Sequence, residues 1–333
     1  MPKRLSKTWV SYLSNDQPIH TNPEDGARVM TNATRKSTHR KPFEILLEAL
    51  VRVAGYSAVV FVALIFIFLV REALPTFSEV TTSELFSRRW YPIENYFGIL
   101  PLLTGSLVIT LGAALIAVPF GLMTAVYISE IAPRWLREFL KPLVEVLGGI
   151  PSVVLGFLGI LVLAPLVREI LRVPTGLTAF TGAVLLAGMA IPTIVSVAED
   201  ALDTVPKAYR DAALALGATR WQTIWRITVP AARSGVLTAT MLGIGRAIGE
   251  TMTVMMVTGN APQIASGLSA VFMPLRTMTA TIAAEMGEVA NGSVHYHVLF
   301  YIGLALFLIS LTVNLTASAV LFRARRRSER LLS

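Results

Sequence analysis

The sequence predicts an all-α membrane protein that crosses the bilayer six times. Of its 333 residues, 54% are hydrophobic and only 15% are charged, a balance too apolar for an ordinary soluble domain. Basic residues gather in blocks between and beyond the apolar runs, which is typical of membrane topology signals rather than of a nucleic-acid surface. The chain has no cysteine, which excludes disulfides, thiolate chemistry and cysteine-bound metals.

Six segments are apolar enough to span a membrane, for which a helix needs about 20 mostly apolar residues. They cover about 49–70, 99–128, 146–167, 173–198, 234–258 and 298–321. Residues 1–41 are polar and basic and predict a disordered tail, leaving 42–333 as the transmembrane domain. The first apolar run follows this tail without a visible cleavage signal, so we expect it to remain as an anchor.

The distribution of lysine and arginine predicts the orientation. These residues concentrate in the N-terminal tail, the 199–233 loop and the C-terminal tail, whereas the 259–297 loop contains only Arg276. The positive-inside rule therefore puts both termini and the 199–233 loop in the cytoplasm. The same rule puts the 71–98 and 259–297 loops outside.

The 199–233 loop contains a first predicted helix that ends at a glycine. Pro206 fits the first turn of a helix. Four residues recur at helical spacing and predict one apolar face: Tyr209, Ala212, Ala213 and Leu216. Gly217 fits the position just after the last helical turn, where a left-handed backbone is common.

A second short helix is predicted to follow at once. Thr219 and Gln222 form a capping box, and Pro230 marks the predicted end. The expected face of this helix comprises Trp221, Ile224, Trp225 and Thr228. Two interpretations fit the helix pattern: an amphipathic element lying in the membrane interface, or a rigid lever that docks in a groove of a soluble partner.

The spacing of this loop resembles the EAA signature of ABC-importer permeases, E-A-A-x3-G-x9-I-x-L-P. Asp211-Ala212-Ala213 precedes Gly217 by three residues, and Ile227-x-Val229-Pro230 follows after nine. Asp211 stands where the signature has Glu, and Val229 where it has Leu. The resemblance implies a type I ABC-importer permease fold with cytoplasmic coupling helices that dock on an ATP-binding subunit. The matched positions place that docking at Asp211, Ala212, Ala213, Gly217, Ile227 and Pro230, and the predicted helix faces add Tyr209 and Trp221.

The fifth segment contains two charges, Arg246 and Glu250. A charge at the bilayer centre costs about 2.5–3.5 kcal/mol on insertion scales, so intramembrane ionisable residues are functional by default. Glu250 lies one helical turn after Arg246, so we expect the two to pair. One interpretation is an anion pathway bordered by Arg246, Glu250 and Thr253, because guanidinium suits a tetrahedral oxyanion. The other is an Arg–Glu pair that only holds helices together.

A closer resemblance connects these motifs to the phosphate-uptake (Pst) permeases of the PstC type. Gly245 to Thr251 read GRAIGET, and Gly149 to Val154 read GIPSVV, as in that family. The segment Arg276 to Ala280 resembles its external loop, and the match covers about 50–325. The resemblance implies a half-pore that pairs with a PstA-type permease on a dimer of ATP-binding subunits, supplied by an extracytoplasmic phosphate-binding protein. It implies the bacterial cytoplasmic (inner) membrane.

The chain lacks the phosphate-binding motif G-x-x-x-x-G-K-[ST], so we expect no ATP hydrolysis on it. ATP and magnesium would belong to the partner ATPase, and we expect no cofactor here. His295 and His297 have no obvious third ligand, so no metal is predicted. Glu285 and Glu288 fit either a docking surface or a solvated face. The alternatives for function are a permease for another oxyanion, sulfate or molybdate, and an ion-coupled secondary transporter.

Overall fold

The computed structural model describes residues 42–329, and the predicted tail at 1–41 lies outside this range. The chain divides into two units, residues 1–62 and 63–333. The described part of the first unit is the start of α1, with exposed apolar side chains such as Val51 and Tyr56. The α-helices are α1 (Pro42–Ala73), α2 (Thr76–Glu79), α3 (Thr82–Leu85), α4 (Leu100–Val126), α5 (Arg134–Gly148), α6 (Ser152–Leu158), α7 (Ala164–Leu171), α8 (Ala179–Asp203), α9 (Lys207–Ala215), α10 (Arg220–Thr223), α11 (Val229–Ala231), α12 (Arg233–Gly249), α13 (Met252–Val257), α14 (Met278–Glu285) and α15 (Val294–Glu329).

Short irregular elements complete the second unit. Two strands, β1 (Trp90–Tyr91) and β2 (Tyr96–Phe97), pair in an antiparallel hairpin. Turns of 3-10 helix cover Pro92–Glu94 and Leu268–Phe272. π-Helical turns continue α4, join α6 to α7 and join α10 to α11, over Tyr127–Ile131, Gly159–Leu163 and Ile224–Thr228.

Helix α8 is the central element of the second unit, packed between α4 and α12. Gly243 permits the close approach of α12, because a Cβ there would lie 2.4 Å from Cγ1 of Ile194. Apolar clusters lie at both ends of α4: Leu102 and Trp90 belong to one, and Ala125 belongs to the other. A helix of 27 residues measures about 40 Å, so α4 separates two distinct ends of the molecule.

Within residues 42–329, five helical segments are long and apolar enough to cross a membrane, beginning at Leu46, Leu100, Ser152, Ala179 and Val294. The third begins later than predicted, because Val146 belongs to amphipathic α5 and a Gly-Gly-Ile-Pro turn separates the two helices. The fourth also begins later than predicted, after a turn in which Arg172 has φ of +52°.

The continuous fifth helix predicted over 234–258 is wrong. Helix α12 ends at Gly249, and Glu250 is extended, with ψ of 132°. Helix α13 then begins at Met252. At the other end, α12 meets the helical segment that ends at Ala231 at an angle of 74°.

Candidate coupling site and substrate pathway

The predicted glycine hinge is present at the end of α9. Gly217 has φ of +83°, a left-handed conformation that glycine adopts without strain. The amide of Ala218 donates to the carbonyl of Ala213 at 3.1 Å, and that of Gly217 to Leu214 at 3.0 Å. These two bonds form a Schellman motif, which satisfies carbonyls at the helix end. The chain therefore reverses direction at Gly217 in a defined geometry.

The predicted capping box is also present. The Thr219 amide donates to Oε1 of Gln222 at 2.9 Å, and the Gln222 amide donates to Oγ1 of Thr219 at 3.3 Å. The helical segment continues to Ala231, one residue past the predicted end at Pro230. The π-turn over Ile224–Thr228 directly precedes α11, in which Pro230 is the second residue.

The single apolar face predicted for α9 is only partly correct. Ala213 is buried, but Leu216 is 90% exposed and Tyr209 is 49% exposed. On the second helix, Ile224 is buried while Trp221 stands 60% exposed. We call the exposed apolar set the coupling surface: Tyr209, Leu214, Leu216, Trp221 and Trp225. Within this set, the ring centroids of Trp221 and Trp225 lie 5.6 Å apart.

An ion pair fastens α9 to the ends of two core helices. Nη2 of Arg210 lies 2.5 Å from Oε1 of Glu130, and Nε lies 3.1 Å from the same atom. The same guanidinium donates to the carbonyls of Leu202 and Val205 at 3.0 and 2.8 Å. The side chain of Glu130 is 8% exposed and that of Arg210 is 20% exposed. We call this cluster the Arg210–Glu130 joint.

Helix α5 attaches to the same end of α8 through a second set of charges. Nζ of Lys141 lies 2.7 Å from Glu199 and 2.9 Å from Asp200. The hydrogen bonds that Lys141 donates to Glu199 and then to Asp200 raise its pKa well above the usual range. Arg137 binds Asp203 at 3.6 Å. Sequence reasoning missed these residues; the i,i+4 spacing of the two α5 cations was the available signal.

A cleft of about 470 Å³ opens beside Asp211, between the joint and α10. Asp211 is exposed, and within residues 42–329 it has no hydrogen bond or ion pair. Ala212 is exposed beside it, and Ile227 is half-buried. The carboxylate of Asp211 is therefore available to a partner at the edge of the coupling surface.

The predicted Arg246–Glu250 ion pair is wrong. Nη1 of Arg246 donates to Oγ1 of Thr193 at 3.0 Å, and Nη2 donates to the carbonyl of Gly148 at 3.1 Å. Because α12 ends at Gly249, Glu250 does not continue the helical face of Arg246. Its Oε1 instead accepts a bond from the amide of Thr253 at 3.2 Å. Among the described residues, no carboxylate pairs with Arg246.

Residues at the helix break around Glu250 form hydrogen bonds with the ends of neighbouring helices. Thr253 is fully buried, and its Oγ1 donates to the carbonyl of Ser152, the first residue of α6, at 2.9 Å. Thr279 at the start of α14 donates to the carbonyl of Glu250 at 3.0 Å. Gly245 and Gly249 face no close neighbour in the described chain, because nothing lies within 4 Å of a Cβ built at either.

At the opposite end of α4, Glu285 is the centre of a partly buried polar cluster. Arg276 and His295 each lie 2.8 Å from its carboxylate, and Nε1 of Trp90 donates to it at 3.2 Å. Burial raises the pKa of Glu285, but the bond from His295, the charge of Arg276 and the bond from Trp90 outweigh it and lower the pKa. Glu285 is therefore not on a solvated face, whereas Glu288 is exposed, and docking at this helix stays a prediction.

Comparison with known proteins identifies relatives over most of the chain. The family model described as "Binding-protein-dependent transport system inner membrane component" matches residues 117–328. The "Probable ABC transporter permease protein YqgH" of Bacillus subtilis (strain 168) is 41% identical over 228 residues, 68% of this chain and 73% of that protein. The "Phosphate transport system permease protein PstC" of Mesorhizobium japonicum is 36% identical over 276 residues, 77% of this chain and 82% of that protein.

A solved structure supports the fold. The inward-facing MetNI methionine ABC transporter matches with a TM-score of 0.54 at 18% identity, over 71% of this chain and 99% of that chain. The predicted ABC-importer permease fold is thus confirmed. By family match and by identity to curated relatives, the chain belongs to the binding-protein-dependent transport system inner membrane components, among the PstC-type permeases.

Proposed function

We propose that the chain is a transmembrane permease subunit of an ATP-driven importer of inorganic phosphate. It forms half of the translocation pathway beside a PstA-type permease and docks on a dimer of ATP-binding subunits, which hold ATP and magnesium. An extracytoplasmic phosphate-binding protein delivers the substrate. Both termini lie in the cytoplasm. The observation that carries ATP coupling is the exposed coupling surface on a hinged element with the EAA spacing.

The coupling surface has the properties of a docking site. Leu216 is 90% exposed at the tip of the turn, and Trp221 and Trp225 lie side by side, with ring centroids 5.6 Å apart. Aromatic anchors of this kind dominate binding energy in protein interfaces. Asp211 adds a free carboxylate. A partner that presents an apolar groove with a basic rim fits this chemistry.

The joint transmits motion of α9 to the core. Arg210 bonds to Glu130 at the end of α4 and to two carbonyls at the end of α8. Closure of the ATPase dimer moves α9, and the joint requires the ends of both helices to follow. Helix α5 is bound to α8 by Lys141, and its last residue, Gly148, accepts the bond from Arg246. Displacement of α5 or α8 therefore changes the environment of Arg246.

Arg246 provides the charge for an anion. Its described partners are two neutral acceptors, the Thr193 hydroxyl and the Gly148 carbonyl, so its positive charge is not cancelled by a nearby carboxylate. Guanidinium stays protonated and presents donors in a planar fork that fits a phosphate edge. Glu250 borders the proposed pathway at the helix break, whereas Thr253, predicted to border it as well, is fully buried and bonds to the carbonyl of Ser152 instead. Glu250 caps α13 there and does not mask Arg246.

The test is uptake by the complete transporter reconstituted in liposomes. We expect ATP-dependent accumulation of labelled phosphate that excess sulfate or molybdate leaves unchanged. Preferential uptake of sulfate or molybdate would identify that oxyanion, rather than phosphate, as the substrate. Uptake driven by an ion gradient without ATP would support the secondary transporter, an alternative whose proposed Arg–Glu relay lacks its ion pair in this structure.

A further inference from the structure

The hairpin between α3 and α4 has one buried face and one exposed face. Trp90 and Phe97 oppose each other across the two strands, and each is 2% exposed. Tyr91 and Tyr96 oppose each other on the other face, where they are 54% and 40% exposed. Ile93 at the tip is 91% exposed. The hairpin thus presents two aromatic rings and an apolar tip to the surroundings.

The base of the hairpin is held firmly. Nε1 of Trp90 donates to Glu285, whose carboxylate also binds Arg276 and His295. The amide of Gly98 donates to the carbonyl of Arg89 at 2.8 Å, which closes the hairpin. A surface that is already ordered loses little entropy when a partner binds, so such a hairpin is well suited to recognition.

The hairpin and the coupling surface lie at opposite ends of the molecule. Helix α4 begins at Leu100, three residues after β2, and its terminal π-turn contains Glu130 of the Arg210–Glu130 joint. The α4 helix between them has 27 residues, about 40 Å, which exceeds the hydrocarbon thickness of about 30 Å. If the coupling surface faces the cytoplasmic ATPase, the hairpin faces the other side of the membrane.

The exposed charges of the hairpin segment are mainly positive. Arg88 and Arg89 are exposed at the start of the hairpin, against a single exposed carboxylate at Glu94. A cleft of about 360 Å³ lies between these side chains and Pro262 of the neighbouring loop. Tyr and Arg are enriched among the residues that contribute most to protein interfaces. A partner with an apolar socket and a rim of carboxylates complements this surface.

We propose that residues 88–97, the outer hairpin, are a docking surface for the extracytoplasmic substrate-binding protein. This inference rests on the proposed function, because the family depends on a binding protein and because the ATPase side defines the outer side. Ile93 inserts into an apolar socket of the binding protein, and Arg88 and Arg89 meet carboxylates at the socket's rim. Tyr91 and Tyr96 pack against the binding protein around this contact.

The first experiment places a photo-crosslinking amino acid at Ile93 in the complete transporter, with the purified binding protein of the same system added. We expect a covalent product with the binding protein, identified by mass spectrometry. The matched control is the same probe at Leu216, which is 90% exposed at the other end and should crosslink the ATPase subunit. Products of Ile93 with lipid, with the second permease, or with nothing would overturn the proposal.

The second experiment reverses the two charges in the variant Arg88→Glu/Arg89→Glu. We expect the binding-protein concentration that half-maximally stimulates ATP hydrolysis to rise roughly tenfold, with basal hydrolysis unchanged. High salt should raise the wild-type value and have a smaller effect on the variant. Arg168→Glu is the matched control, since Arg168 is an exposed arginine outside the hairpin. An unchanged half-stimulating concentration in the double variant would contradict the proposal.

The two proposals fail separately. Crosslinking needs no transport. A product between Ile93 and the binding protein, in a transporter that does not accumulate phosphate, would therefore contradict phosphate as the substrate and support the docking site. Phosphate uptake by a transporter whose Ile93 probe forms no product with the binding protein would contradict the docking site and support phosphate as the substrate.

Discussion

Replacing Glu130 by Gln removes the carboxylate that fastens Arg210 while keeping the shape of the side chain. Removal of one partner from a buried ion pair costs about 3–5 kcal/mol. Here Arg210 keeps its bonds to the carbonyls of Leu202 and Val205 and is 20% exposed, which reduces the loss. We therefore expect a cost of about 2 kcal/mol, roughly a thirtyfold shift toward a detached α9.

The assay compares phosphate uptake with ATP hydrolysis in reconstituted transporter. A detached α9 still presents the coupling surface, so Glu130→Gln should assemble and hydrolyse ATP while phosphate accumulated per ATP falls roughly tenfold or more. The matched control is Glu138→Gln, which removes an ion pair to Arg134 in which both side chains are well exposed and which contributes little. Wild-type coupling in Glu130→Gln, or an equal loss in Glu138→Gln, would refute the role of the joint.

Three further predictions concern other parts of the structure. Gly217→Val forces a β-branched residue to φ of +83°, at a cost of about 1–3 kcal/mol. Less ATPase subunit should therefore co-purify with this variant than with the control Gly287→Val, and equal recovery would contradict the need for a glycine at position 217. Arg246→Gln should assemble normally but lose about 100-fold in phosphate uptake, unlike the exposed-site control Arg168→Gln, and normal uptake would contradict the anion pathway. The lowered pKa of Glu285 means that its ionised form stabilises the fold above the unfolded-state pKa of about 4.3, and that this stabilisation is lost as pH falls through the folded-state value. The melting temperature should therefore fall less steeply in Glu285→Gln than in wild type between about pH 5 and about pH 3, and parallel curves would show that the carboxylate contributes nothing.

Local rules predicted the coupling element well. The left-handed Gly217 and the capping box of Thr219 and Gln222 depend on residues within a few positions of each other, and the structure shows both. The exposed side of α9 was harder to predict, because the side that is buried depends on Arg210 and its distant partner Glu130. Tertiary pairing across 80 positions leaves no periodic signal in the sequence.

The wrong prediction of an Arg246–Glu250 ion pair has a physical origin as well. Helical periodicity was extended through Glu250, but the Gly-Glu-Thr sequence at 249–251 ends α12 and begins α13. Glu250 therefore serves as a cap for Thr253 rather than as a counter-ion for Arg246. Composition alone could not distinguish a helix cap from a counter-ion, because the carboxylate stands at the same position of the sequence in either role.

In the proposed pathway, the neutral hydrogen-bond partners of Arg246 would affect how strongly cations are excluded. A fixed positive charge without a carboxylate beside it repels sodium ions and protons as strongly as it attracts an anion. An inside-negative membrane potential opposes anion entry by about 2.3 kcal/mol per charge per 100 mV, and the same potential would draw cations inward. If Arg246 borders the pathway as proposed, it would let a transport cycle admit anions without discharging the ion gradients of the cell.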